Sequence, residues 1–118
     1  MGLRWHGVTI EATDPARLAR WWAEVLHYEI MFEQPHVVAI AKDQQTYPGF
    51  VFVQVTGAKS SKNRLHLELD CDEQSADVER LVDMGARHID IGQGDAPWVV
   101  LADPEGNEFC VMPPRPTV

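Results

Sequence analysis

The stretch WVVLADPEGNEFCV, Trp98 to Val111, joins two apolar runs through a tight turn. Pro104 presets φ inside the turn, and Gly106 allows the positive φ with which the chain reverses. The flanking runs are rich in β-branched and aromatic side chains, which is typical of strands. On the second strand, alternation places Glu108 and Cys110 on one face and Phe109 on the other. The stretch therefore predicts two strands, the second with a partly polar face.

The residues before this stretch predict a strand and a helix. The predicted strand has Leu65, Leu67, Leu69 and Cys71 on one face and Arg64, His66, Glu68 and Asp70 on the other. Asp72 is predicted to cap a helix with the apolar stripe Val78, Leu81 and Val82, and Gly85 ends it. The runs RHIDI, WVVLA and NEFCVM follow as strands. The second half of the chain is thus predicted to be a βαβββ unit.

The first half repeats this order. Its first strand has Val8, Ile10 and Ala12 on one face and Gly7, Thr9 and Glu11 on the other; the helix stripe is Leu18, Trp22 and Val25. Asp14 is the predicted N-cap, with Pro15 at the first helical position, and EIMFE, VVAIA and GFVFVQV complete the unit. Laying Gly7 on His66 aligns GVTIEA with HLELDC, apolar on apolar.

These patterns predict an α+β protein made of two βαβββ modules in one domain, residues 1–118. The modules are expected at about 1–57 and 64–118, joined by the polar stretch 56–63. Each half-sheet must curl so that its apolar face packs on its helix. We expect a curled, eight-stranded mixed sheet with both helices on the outside and a concavity on the other face.

The composition excludes several classes of function. A net charge of -8 over 118 residues repels the phosphate backbone of nucleic acids. No apolar run reaches the roughly 20 residues of a transmembrane helix, and the N-terminus lacks the pattern of a signal peptide. Cys71 and Cys110 lie far apart without CxxC spacing, so neither a zinc knuckle nor a disulfide is indicated. We expect a cytoplasmic protein with no nucleic-acid and no membrane partner.

The paired modules resemble those of the vicinal oxygen chelate superfamily, in particular its small glyoxalase-like and bleomycin-resistance-like members. The resemblance covers essentially the whole chain and is carried by HGVTIEATDPARLARWW, KNRLHLELDCDE and WVVLADPEGNEFCV. It implies a homodimer. It also implies four metal-ligand positions, usually His and Glu, which fall here on Gly7, Gln54, His66 and Cys110. Only His66 is a usual ligand, so the resemblance implies that the metal site is dismantled.

The face opposite the helices is where a ligand is expected. Side chains on that face, together with aromatic residues that could form its walls, are the predicted ligand-binding set. The set is Thr9, Phe52, Gln54, His66, Glu68, Trp98, Glu108 and Cys110. In it, Cys110 occupies the place of an acid and is expected to serve as a small, buried, weakly polar side chain.

Three functions are consistent with this set. The first is binding of a small organic ligand without a metal, as in drug-sequestering proteins of the superfamily. The second is an enzyme of lyase, isomerase or dioxygenase type, either with a divalent metal on His66, Glu68 and Glu108, or with Glu68 or Glu108 as a general base whose pKa is raised by burial. The third is a structural role with a filled concavity. Glyoxalase I activity is not expected, since it needs a Lewis-acid metal.

Overall fold

The computed structural model describes residues 5–46 and 49–114, and it divides into two compact units, Met1–Ala58 and Lys59–Val118. Within these residues there are two helices and eight strands, four strands in each unit. The first unit has β1 (Gly7–Ala12), α1 (Pro15–Leu26), β2 (Glu29–Gln34), β3 (Val37–Ala41) and β4 (Gly49–Gln54). The second has β5 (Leu67–Leu69), α2 (Gln74–Asp83), β6 (Arg87–His88), β7 (Val99–Ala102) and β8 (Glu108–Val111). The predicted α+β fold of two βαβββ modules is confirmed.

The two sheets have the same topology. Their strand orders are β1-β4-β3-β2 and β5-β8-β7-β6, with the first strand of each module parallel to the last and the other pairs antiparallel. Thr9 is in register with Val51 in the first sheet, and Glu68 is in register with Cys110 in the second. Residues in register lie on the same face of a sheet. The repeat therefore extends to individual positions, a fact that decides which side chains share a site.

The first module follows its sequence pattern closely. Asp14 caps α1, because its side chain accepts a hydrogen bond from the Arg17 amide at 3.2 Å, and Pro15 is the first helical residue. The helix buries Trp22, which is 1% exposed, and the sheet contributes Phe52, which is 0% exposed. Burying one large side chain stabilises the fold by about 1.5–3 kcal/mol. The α1 stripe is thus a true core face.

The helix of the second module begins one residue later than predicted. The N-cap is Glu73, whose side chain accepts from the Ala76 amide at 2.8 Å, whereas the predicted cap, Asp72, donates its own amide to Asp77. Val82, predicted in the apolar stripe, is 37% exposed. Both predictions were wrong, because spacing alone does not fix where a helix starts or how wide its buried face is.

The first strand of the second module is shorter than predicted. It begins at Leu67 rather than Arg64, and Leu65, expected to pack on the helix, is 89% exposed. The alternation of apolar residues continues into a segment that forms no strand pairs, so the expected burial of Leu65 was wrong.

No helix in the described parts of the chain is long and apolar enough to cross a lipid bilayer.

Candidate functional site

Three side chains form a row across the face of the second sheet that lies opposite Phe109. Glu68 on β5 is in register with Cys110 on β8, and Cys110 is in register with Val100 on β7. Neighbouring strands are about 4.8 Å apart. Glu68 is exposed, while Cys110 is 4% and Val100 is 2% exposed. We call these three residues the Glu68 row, an apolar strip with a carboxylate at one end.

Glu108 lies on the same face of β8 as Cys110, two residues before it. Its carboxylate is buried and accepts two hydrogen bonds, from Lys59 Nζ at 2.9 Å and from the Asn63 amide at 2.8 Å. Burial alone would raise the pKa of Glu108, but the donors Asn63 and Lys59 outweigh it and lower the pKa. The expectation of a raised pKa at Glu108 was therefore wrong. Glu108 is an ionised, fully engaged carboxylate.

His66 lies just before β5 and is partly exposed. Its Nε2 is 2.8 Å from the carbonyl oxygen of Asn63. Because a carbonyl only accepts, Nε2 must carry the proton and donate. That nitrogen is then unavailable as a metal ligand, and the imidazole is anchored to the chain segment that also covers Glu108.

Cys110 occupies the ligand position of the last strand. Burial, and after it the negative charge of Glu68, raise the pKa of the Cys110 thiol. Since the thiolate is both the nucleophile and the metal-binding form, the neutral thiol is poorly suited to either task. The side chain acts here as a small apolar group in the Glu68 row.

In the first module the two ligand positions have no suitable side chain. A Cβ atom on Gly7 would lie 2.7 Å from the carbonyl oxygen of Gly49 on β4, so β1 and β4 approach too closely for any side chain there. The strand register also shows that the second ligand position of this module, on β4, is a different residue from the one predicted. Thr9 matches Glu68 in the repeat, and its partner Val51 therefore matches Cys110. The predicted residue, Gln54, was the wrong equivalent.

Gln54 and Phe52 point away from the face that carries Thr9. Gln54 is in register with Ala12, and its Oε1 accepts a hydrogen bond from His36 Nδ1 at 2.8 Å. Phe52 is in register with Ile10, on the core side of the sheet, where it is 0% exposed. The structure removes Phe52 from the candidate surface, because strand pairing places it in the core. Thr9 is exposed on the opposite face.

Trp98 lines a groove at the edge of the second sheet. The groove has a volume of about 500 Å³, and its lining includes His88, Asp90, Gln93, Trp98, Val99 and Val100. Its loop wall is held by internal hydrogen bonds, among them Asp90 Oδ1 with the Gly92 amide at 2.7 Å. Through Val100, the groove borders the Glu68 row. Trp98 is 37% exposed and gives the groove an aromatic wall.

These residues do not fit the divalent metal that the superfamily commonly uses. Among residues 5–46 and 49–114, no three His, Cys, Asp or Glu side chains are grouped to hold a metal ion. The alternative set of His66, Glu68 and Glu108 is not such a group either, and both oxygens of Glu108 already accept hydrogen bonds, one from Lys59 and one from the Asn63 amide. A metal needs three or more protein ligands with lone pairs free.

Comparison with known protein families gives one match across this structure. Residues 7–112 match the glyoxalase-like domain. The chain belongs to this family, within the vicinal oxygen chelate superfamily. Comparison with curated proteins found no significant match.

Solved structures share the fold at low sequence identity. A glyoxalase-related enzyme from Fulvimarina pelagi has a TM-score of 0.69 at 19% identity, covering 95% of this chain and 88% of the other. The bleomycin-binding protein of Streptomyces verticillus, solved with copper(II)-bleomycin, has a TM-score of 0.63 at 12% identity, covering 98% and 99%. An antibiotic binding protein from Streptomyces sp. CB03234 has a TM-score of 0.62 at 20% identity, covering 98% and 99%. These likenesses concern the fold.

Sequence reasoning missed three residues of this site. Lys59 and Asn63 lie in the polar linker, 49 and 45 positions before Glu108, and nothing in their local pattern indicates that they contact β8. Val51 was missed because the alignment of the two modules was not extended to the last strand. Pairing Gly7 with His66 and counting along both parallel pairs would have found it.

Proposed function

We propose that this protein binds a small organic molecule, without a metal, on the face of its second sheet that lies opposite Phe109. The observation that carries the proposal is the groove of about 500 Å³ beside Trp98, which borders the Glu68 row through Val100. A concave, mostly apolar surface with an aromatic wall and a few polar groups is the usual form of a small-molecule site.

In this proposal Trp98 stacks on a planar part of the ligand, and Val99 and Val100, which line the groove, supply apolar contacts. Glu68 provides the polar contact at the far end of the row, about 10 Å from Val100 at the usual strand spacing. The absence of a fitting ligand set at Gly7, Val51, His66 and Cys110 supports a metal-free mode. Antibiotic-binding proteins of the same fold add support by analogy.

The superfamily resemblance further suggests a cytoplasmic homodimer, which we include in the proposal. In the enzymatic alternative, Glu68 is the remaining candidate for the general base. Glu108 is a poor general base, because its pKa is lowered and its carboxylate already accepts hydrogen bonds from Lys59 and Asn63. An enzyme that uses Glu68 as its general base would turn over a carbonyl substrate, and Glu68→Gln would abolish that turnover. A protein that only binds its ligand would show no turnover in the wild type either.

The test is a thermal-shift screen of planar aromatic metabolites and antibiotics against the wild type, Trp98→Ala and Trp5→Ala. Trp5 is 65% exposed and outside the groove, so Trp5→Ala is the matched control. A compound at 100 times its Kd stabilises a protein by about 2.7 kcal/mol. We expect hits that stabilise the wild type and Trp5→Ala but not Trp98→Ala.

Two outcomes would contradict the proposal. One is a broad library without a hit, or with hits that stabilise Trp98→Ala equally. The other is a stoichiometric transition metal measured by plasma emission in protein purified without a histidine tag.

A further inference from the structure

The segment Lys59–Asn63, which we call the strap, lies against the sheet face of the second module. Residues 56–62 are all exposed and form no helix or strand, so the segment buries no apolar side chain. Three hydrogen bonds join the strap to the turn and start of β8: Lys59 Nζ to Glu108 Oε2 at 2.9 Å, Asn63 N to Glu108 Oε1 at 2.8 Å, and Asn63 Nδ2 to Asn107 Oδ1 at 3.2 Å. The Asn63 carbonyl also accepts from His66 Nε2, so the strap is held by polar contacts to His66 and to the start of β8.

The two partners of the ion pair differ in burial. The Glu108 side chain is 5% exposed and belongs to a core strand, while the Lys59 side chain is 21% exposed and belongs to the strap. A buried carboxylate needs a cation or donors to offset its desolvation. The buried carboxylate of Glu108 therefore stays in place and always needs a cation, whereas the ammonium group of Lys59 can be replaced by another cation.

The geometry at Glu108 selects the kind of cation. Oε1 is already engaged by the Asn63 amide, so one oxygen, Oε2, receives the cation. A guanidinium binds best through both oxygens at once, whereas an ammonium binds as a point charge with three N–H donors. Lys59 uses two of these donors, on Glu108 Oε2 and on the Ser61 carbonyl.

We infer that Glu108 is a primary-ammonium site on the face of the second sheet that lies opposite Phe109, and that Lys59 of the strap fills this site from within the chain. A small molecule with an alkylammonium group takes the place of Lys59 when the strap lifts. Glu108 and Cys110 are two residues apart on one face, about 7 Å along the strand, so the ammonium lies next to the Glu68 row. This inference rests on the proposed function and gives its ligand a charged group.

The test is chemical rescue of the thermal stability of Lys59→Ala, measured as the melting temperature of the variant with and without an added amine. The variant leaves the Glu108 carboxylate without its cation, and we expect a fall in Tm of about 5 °C. Millimolar propylammonium chloride should restore part of this loss, whereas tetramethylammonium chloride, which has no N–H donor, should not. Lys62→Ala, at an exposed lysine of the same strap, is the matched control and should show neither loss nor rescue.

The double variant Lys59→Ala/Glu108→Gln should gain nothing from propylammonium. Equal shifts with the two ammonium salts, or rescue that persists in the double variant, would overturn the inference. If Lys59→Ala does not fold, the wild type gives the same information through hydrogen exchange. The Asn63 amide should exchange faster in propylammonium than in tetramethylammonium chloride, and equal exchange rates would overturn the inference.

Failure of this inference and failure of the proposed function look different. Loss of rescue together with Trp98-dependent ligand shifts would overturn the ammonium site alone. Rescue without any Trp98-dependent shift would overturn the proposed function and leave Glu108 as an ammonium site.

Discussion

Replacing Asp103 should destabilise the turn that joins β7 to β8. Asp103 is 1% exposed, and its Oδ1 accepts from the Glu105 and Asn107 amides, each at 2.9 Å. Its Oδ2 accepts from Asn107 Nδ2 at 3.0 Å. In Asp103→Ala all of these donors lose their acceptor. At about 1–2 kcal/mol for each backbone donor, reduced by partial solvent access, we expect a loss of about 3 kcal/mol.

Urea unfolding followed by tryptophan fluorescence measures this loss. With a slope of roughly 2 kcal/mol per molar urea, the midpoint should fall by about 1.5 M. Asp103→Asn is the control, because its carbonyl oxygen can still accept both amides, and it should lose only about 1 kcal/mol. The reasoning is refuted if Asp103→Ala unfolds at the wild-type midpoint, or if Asp103→Asn is as unstable as Asp103→Ala.

Three other measurements follow from the structure. Gly7→Ala should lose about 1–3 kcal/mol in urea unfolding, because its Cβ would meet the Gly49 carbonyl at 2.7 Å, whereas Thr9→Ala on the exposed face should lose little. His27→Gly should gain about 0.5–1 kcal/mol and melt at a higher temperature, because His27 ends α1 with φ at 56°. The pKa of Glu108 is lower in the folded than in the unfolded chain, where it is about 4.3. Its stabilisation is thus present above that value and lost as the pH falls through the folded pKa. The difference in unfolding free energy between wild type and Glu108→Gln should therefore be larger at neutral pH than in acid, and a constant difference would contradict this.

The features that the sequence predicted correctly are local ones. Asp14 and Pro15 start α1 because capping depends on residues three apart, and Gly106 takes a φ of 89° because the turn requires it. The buried stripe containing Leu18 and Trp22 follows from helical spacing. Each of these needs only a few neighbouring residues, so a short window of sequence is enough.

The features that the sequence did not predict depend on long-range pairing. Alternation shows that Phe52 and Val51 lie on opposite faces of β4, but only the register with β1 shows that Phe52 is on the core side. The ion pair of Lys59 with Glu108 joins residues 49 positions apart, across a linker without periodicity. Two of the eight residues in the predicted set, Phe52 and Gln54, therefore lie on the opposite face of the first sheet from Thr9.

The contact between Gly7 and Gly49 constrains what mutation can restore in this protein. A histidine at position 7 would have to enter a space that the β4 backbone occupies, so β1 and β4 would first have to separate. Separation would break the parallel pairing of β1 with β4, which runs from Gly7↔Gly49 to Ala12↔Gln54. A single substitution at Gly7 therefore does not restore a metal ligand at this position, because the β4 backbone at Gly49 would have to move as well.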